Sequence, residues 1–83
     1  MRIVFDEPKR TANLLKHGLD FAALTLGFFE TAVIVPAKRE RFTAFGVLGD
    51  RAVAGIFRPL GEEAIAVISM RPAKKKERLL YAC

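Results

Sequence analysis

Eighty-three residues are enough for one hydrophobic core and too few for two, so a single domain over 1–83 is expected. A hydrophobic share of 52%, seven Phe and 28% charged residues suit a folded globule and exclude the disordered class. Fourteen Lys and Arg against nine Asp and Glu leave a net charge of +5, which favours an acidic or polyanionic partner, while a lone Cys83 excludes an intrachain disulfide and a cysteine-built metal site.

The chain opens on strand formers, Ile3-Val4-Phe5, after Met1 and Arg2. A patch this short, ended by Asp6, is no secretory leader, and the cytoplasm is the expected location. Asp6-Glu7-Pro8 suits a helix start, and a first helix is predicted from about Glu7 to His17. Gly18 is placed to end it in the left-handed conformation, with Lys16 and His17 complementing the dipole in its last turn.

Asp20 can cap a second helix, in which Phe21, Leu24 and Phe28 recur at helical spacing to about Phe29. The apolar run from Phe21 to Val35 contains Glu30 and falls short of the roughly 20 residues of a membrane span, so no membrane contact is expected. Thr31 to Val35 reads as a strand closed by Pro36. Phe42 to Leu48, Ala52 to Phe57 and Ala64 to Met70 then read as an antiparallel meander, joined through Gly49-Asp50 and Pro59-Leu60-Gly61-Glu62. Pro72 stops the last strand, and Ala73 to Tyr81 has the content of a closing helix. The fold class is α+β, in the order β-α-α-β-β-β-β-α, with an antiparallel sheet packed by helices.

Candidate chemistry falls into two basic sets. On the first helix Lys9, Asn13 and Lys16 recur at spacings of four and three and share a face. His17, the one histidine in the chain, borders that face. Histidine changes charge near neutral pH, so His17 can serve as a general acid or base; a helix-terminal histidine is equally well explained by the dipole. The second set lies on the strands and after them, at Arg41, Arg51, Arg58, Arg71 and Arg78, with Lys74 to Lys76 alongside. Arg41, Arg58 and Arg71 on one sheet face would form a groove for a polynucleotide backbone. Glu40 beside Arg41 is either a base or an ion-pair partner, and Tyr81 either packs its ring or stacks a base. No glycine-rich phosphate loop, metal-ligand spacing or Ser-His-Asp arrangement is present, and neither metal nor cofactor is expected. RNA cleavage needs none of these, since the neighbouring 2′-hydroxyl is the nucleophile and the protein need only orient it, move protons and neutralise charge.

Three blocks, in order, resemble the BrnT family of type II toxin-antitoxin systems. They are Phe5-Asp6-Glu7-Pro8-Lys9 with Asn13, Lys16-His17-Gly18 and Phe21; Glu40-Arg41-Phe42 with Gly46 and Leu48; and Ile68-Ser69-Met70-Arg71 with Ala73, Glu77, Arg78 and Tyr81. The resemblance covers nearly the whole chain. It implies a fold similar to the RelE toxins, endoribonuclease activity, and a cognate BrnA-type antitoxin that covers the basic face and alone carries the DNA contact of the complex. It also implies Lys16, His17, Glu40, Arg41 and Arg71 as the cleavage site: His17 as proton shuttle, Arg41 and Arg71 on the scissile phosphate, Lys16 for charge, and Glu40 orienting an arginine or taking the 2′-hydroxyl proton. Lys9, Asn13, Arg51, Arg58, Arg78 and Tyr81 are the expected RNA contacts. Departures from the family pattern are Phe5 in place of a frequent Trp, a short loop before Glu40, and Ala66 where the last strand often has an arginine. A second reading is therefore kept: a catalytically weak or inactive module that binds nucleic acid or the antitoxin in a transcription-autoregulating complex.

Overall fold

The computed structural model describes residues 1–81. The expectation placed on Cys83 lies outside them. The elements run β1 (Arg2–Val4), α1 (Glu7–His17), a 3₁₀ turn (Phe21–Ala23), α2 (Leu26–Thr31), β2 (Val33–Pro36), β3 (Phe42–Leu48), β4 (Arg51–Leu60), β5 (Ala64–Pro72) and α3 (Lys75–Tyr81). The architecture is mixed α+β, a five-stranded sheet in the order β1-β5-β4-β3-β2.

α1 is set by its ends. Asp6 accepts from the Lys9 N–H, Pro8 sits in the first turn, and Gly18 closes the helix at φ 67°, where its N–H reaches the Leu14 carbonyl. The single short helix expected from Asp20 to about Phe29 is instead broken in two. Asp20 caps only the three-residue turn at Phe21–Ala23, Leu24 is extended, and Thr25 caps the separate α2 by accepting from Phe28 N–H. The break lets Phe21, Leu24 and Phe28 all enter the core. Thr31 accordingly ends α2, and β2 starts two residues later than expected.

β3 to β5 form the expected meander and β2 extends it antiparallel, but β1 lies parallel to β5, so the sheet is not wholly antiparallel. β4 and β5 run longer than their apolar runs suggest: Pro59 and Leu60 remain paired, and the turn falls at Gly61 to Glu63. In β5, Ile56 faces Ser69 while the next residue, Phe57, faces Val67, leaving Ile68 as an extra residue in a β-bulge.

The core lies on one sheet face, where Leu19, Phe21, Leu24 and Phe28 meet Ala44, Val53, Phe57, Ile65, Val67 and Met70. Phe28 crosses the sheet at its two glycines; a Cβ on Gly46 would stand 2.9 Å from the Phe28 ring. α3 packs against β3 through Tyr81, which stacks on Phe45 at 4.2 Å. Phe45 pairs in register with Ala54 and Ala54 with Arg71, so α3 covers one end of the opposite face and leaves the other end open.

β1 reaches only Ala66 along β5, and α1 takes over that edge. Asn13, buried at 8% exposure, receives the outward N–H of Met70 at 3.0 Å and donates to the Leu19 carbonyl at 3.1 Å. One amide thus replaces a strand's partner group and fixes the basic face of α1 beside β5.

Candidate functional site

Two contiguous hollows lie where α1 meets the open end of the sheet. The larger, about 440 Å³, is lined by Val4, Phe5, Asp6, Lys9, Arg41, Arg58, Ala66, Val67 and Ile68. Its floor follows from register. Arg58 faces Ala66 and Ala66 faces Val4, while Arg41 immediately precedes Phe42, the partner of Phe57. The row Arg41, Arg58, Ala66, Val4 therefore crosses the sheet on the face away from the core. The smaller hollow, about 250 Å³, is lined by Lys9, Ala12, Asn13, Lys16, His17, Ile68 and Ser69. Lys9 and Ile68 belong to both, so one cationic track runs from His17 to Arg41.

Among the described residues, none of Lys9, Lys16, Arg41 and Arg58 forms an ion pair; the paired cations are Arg10 and Arg71. Arg10 holds Asp20 through two bonds of 2.7 and 3.0 Å and Glu7 through one of 3.1 Å, which ties α1 to the turn after it. The Asp20 carboxyl is lowered by that guanidinium and by the Ala22 N–H. Cations without ion pairs, collected at a concave surface, can hold an anion.

The remaining expected site residues are dispersed. Arg71 shares the open face but stands with Ala54, four residues along β4 from Arg58, about 13 Å at the strand repeat. Its fork is taken by Glu77, Nη1 to Oε1 at 2.7 Å and Nη2 to Oε2 at 2.8 Å. The same guanidinium, with the Lys74 N–H, holds the Glu77 carboxyl down at about 2, against burial that would raise it. Arg78 donates to the Ala73 carbonyl, and the Tyr81 ring is occupied by Phe45. Arg51 opens β4 at the opposite end from Arg58. Glu40 is exposed at the tip of the β2–β3 hairpin, where it and Arg39 both have φ 59°. Of the first basic set, Lys9, Asn13, Lys16 and His17 are together, although Asn13 has both ends of its amide engaged by the backbone.

Two polar lining groups, Asp6 and Ser69, stand in the family blocks but were given no role at the site. Asp6 reads as a helix cap, which it is, and Ser69 as part of an apolar strand. Nothing local says that either borders a hollow. Among the described residues no three His, Cys, Asp or Glu side chains converge as metal ligands, and no helix is long and apolar enough to cross a membrane.

A search of curated proteins found no match. The family model for the ribonuclease toxin BrnT of type II toxin-antitoxin systems matches residues 5–77. The chain belongs to the BrnT family. The crystal structure of the Brucella abortus ribonuclease toxin BrnT agrees, at 49% identity and a TM-score of 0.85 over 90% of this chain and 99% of that one. BrnT membership makes this protein a ribonuclease toxin of a type II system, hence an enzyme, and an antitoxin is its implied partner. It supports the enzyme reading of the sequence.

Proposed function

We propose that the chain, acting as one domain with a RelE-like arrangement, is a metal-independent endoribonuclease that cleaves RNA by internal 2′-hydroxyl attack along the track between α1 and the open sheet face. The observation that carries this is the convergence of Lys9, Lys16, Arg41 and Arg58, all without ion-pair partners, with the one histidine at the end of the same track.

In this reading Arg41 and Arg58 grip one phosphate from neighbouring strands, Lys16 adds charge beside His17, and Lys9 contacts the nucleotide held between the two hollows. His17 moves the proton, and the cations stabilise the charge that builds on the phosphorane. Glu40, at the strained hairpin next to Arg41, orients that arginine or takes the 2′-hydroxyl proton. Arg71 reaches a phosphate only when Glu77 gives it up, so it acts at the far end of a longer RNA, with Arg51, Arg78 and Tyr81 as outlying contacts. The cognate BrnA-type antitoxin covers the basic face, DNA is met only through that complex, and the setting is the cytoplasm.

Cleavage of labelled single-stranded RNA in EDTA tests the proposal. His17→Ala is expected to lower the rate by about 10² to 10⁴ and Arg41→Ala or Arg58→Ala by about 10² to 10³, with a cyclic phosphate on the wild-type product. Cleavage abolished by EDTA, or unaltered in all three variants, would overturn it.

A further inference from the structure

Phosphate binding leaves one group in the larger hollow unused. Asp6 lines it with Lys9, in the same hollow as the two arginines. One carboxylate oxygen caps α1 through the Lys9 N–H at 3.3 Å. The other has no hydrogen-bond partner among the described residues, and no cation of the hollow lies within ion-pair distance of it.

Between the two sides the floor is apolar, Val4, Ala66 and Ile68. Ala66 stands at its centre, flanked in register by Arg58 and Val4, and its single methyl group keeps the floor open. β4 and β1 are two strands apart, about 10 Å. That is the reach of one nucleotide from its phosphate to the hydrogen-bonding edge of its base, and the volume of the hollow lies in the range of small-ligand sites.

Asp6 and Lys9 are three residues apart at the start of one helix, so an acceptor-only group sits beside a donor-only group. The Watson–Crick edge of guanine is the complement: two adjacent donors, N1–H and N2–H, for the carboxylate, and O6 for the ammonium. Adenine, cytosine and uracil each offer a carboxylate one donor group on that edge and no second one beside it. We propose that this hollow reads guanine, with its base on the Val4–Ala66–Ile68 floor, its edge on Asp6 and Lys9, and its phosphate on Arg41 and Arg58. The phosphate half rests on the ribonuclease reading of the same hollow; the base half does not.

Calorimetric titration of the purified full chain with 5′-GMP, 5′-AMP, 5′-CMP and 5′-UMP tests it. GMP should bind about tenfold or more tighter than the other three. Asp6→Asn keeps the helix cap and so the melting temperature, yet exchanges an acceptor oxygen for a donor, and should remove the preference. Ala66→Leu should weaken all four by filling the floor. Arg41→Ala with Arg58→Ala should weaken all four alike and preserve their ranking. Equal binding of the four nucleotides, no binding of GMP, or a preference that survives Asp6→Asn would each overturn the guanine subsite. Undiminished GMP binding in the arginine double variant would instead count against the phosphate site alone.

Discussion

Asn13 uses both ends of its amide on the backbone, bridging Met70 on β5 and Leu19 beyond Gly18. Asn13→Ala leaves a buried N–H unsatisfied and should cost about 1 to 3 kcal/mol in urea unfolding. At the β2–β3 tip, Arg39 and Glu40 both adopt the left-handed conformation that a two-residue hairpin requires and that side chains oppose. Glu40→Gly should therefore stabilise by about 0.5 to 1 kcal/mol, and a simultaneous loss of cleavage would separate a role in the reaction from one in folding. At Glu77 the folded carboxyl lies at about 2 instead of 4.5, because it accepts from Arg71. The pair's contribution is complete above about 4.5 and is lost as pH falls from there through about 2. Glu77→Gln should flatten the stability profile in that window, measured as urea midpoints across it.

At the level of elements, local signals were read well where they are chemical and poorly where tertiary contacts decide. Asp6, Pro8 and Gly18 mark α1 almost to the residue, and Phe42–Leu48 is bounded as its pattern predicts. The second helix was misread because Phe21, Leu24 and Phe28 fit helical spacing, while the core takes them from a broken path. β5 hides a different difficulty. Plain alternation from Ile65 and Val67 would send Arg71 to the core side, and only the extra residue at Ile68 returns it to the open face with Met70 inside. Gly46 is similarly silent in the sequence, where it reads as an ordinary strand glycine. Gly46→Ala drives a methyl into Phe28 and against Ala32, and should cost about 1 to 3 kcal/mol by thermal or urea denaturation.

Across the whole molecule, residue types and the two separate basic sets were legible and the meeting of those sets was not. Lys9, Lys16, His17 and Arg41 stand out as candidates by charge and by family resemblance, and Arg58 by charge alone. What assembles them is the strand order, in which β5 inserts between β1 and β4 and so brings the start of α1 to Arg58. No local pattern states that insertion, and none shows that Arg71 is already matched by Glu77. Of the cations without ion pairs among the described residues, Lys9, Lys16, Arg41 and Arg58 are the ones that line the two hollows. If three or four phosphates are neutralised there, log affinity for single-stranded RNA should fall with log salt at a slope of about −2 to −3. Arg58→Ala should reduce that slope by about 0.7, read by filter binding over a salt series.

The bulge also bears on how freely this strand can change length. Because Ile68 is one residue beyond a regular alternation, its removal leaves Val67 and Met70 facing inward and Ser69 and Arg71 outward, with no register to repair. A chain shortened by that residue should keep its core and lose one of the two side chains shared by both hollows. On that expectation a one-codon deletion separates architecture from the proposed chemistry: the sheet keeps its pairing while the lining of the proposed track changes.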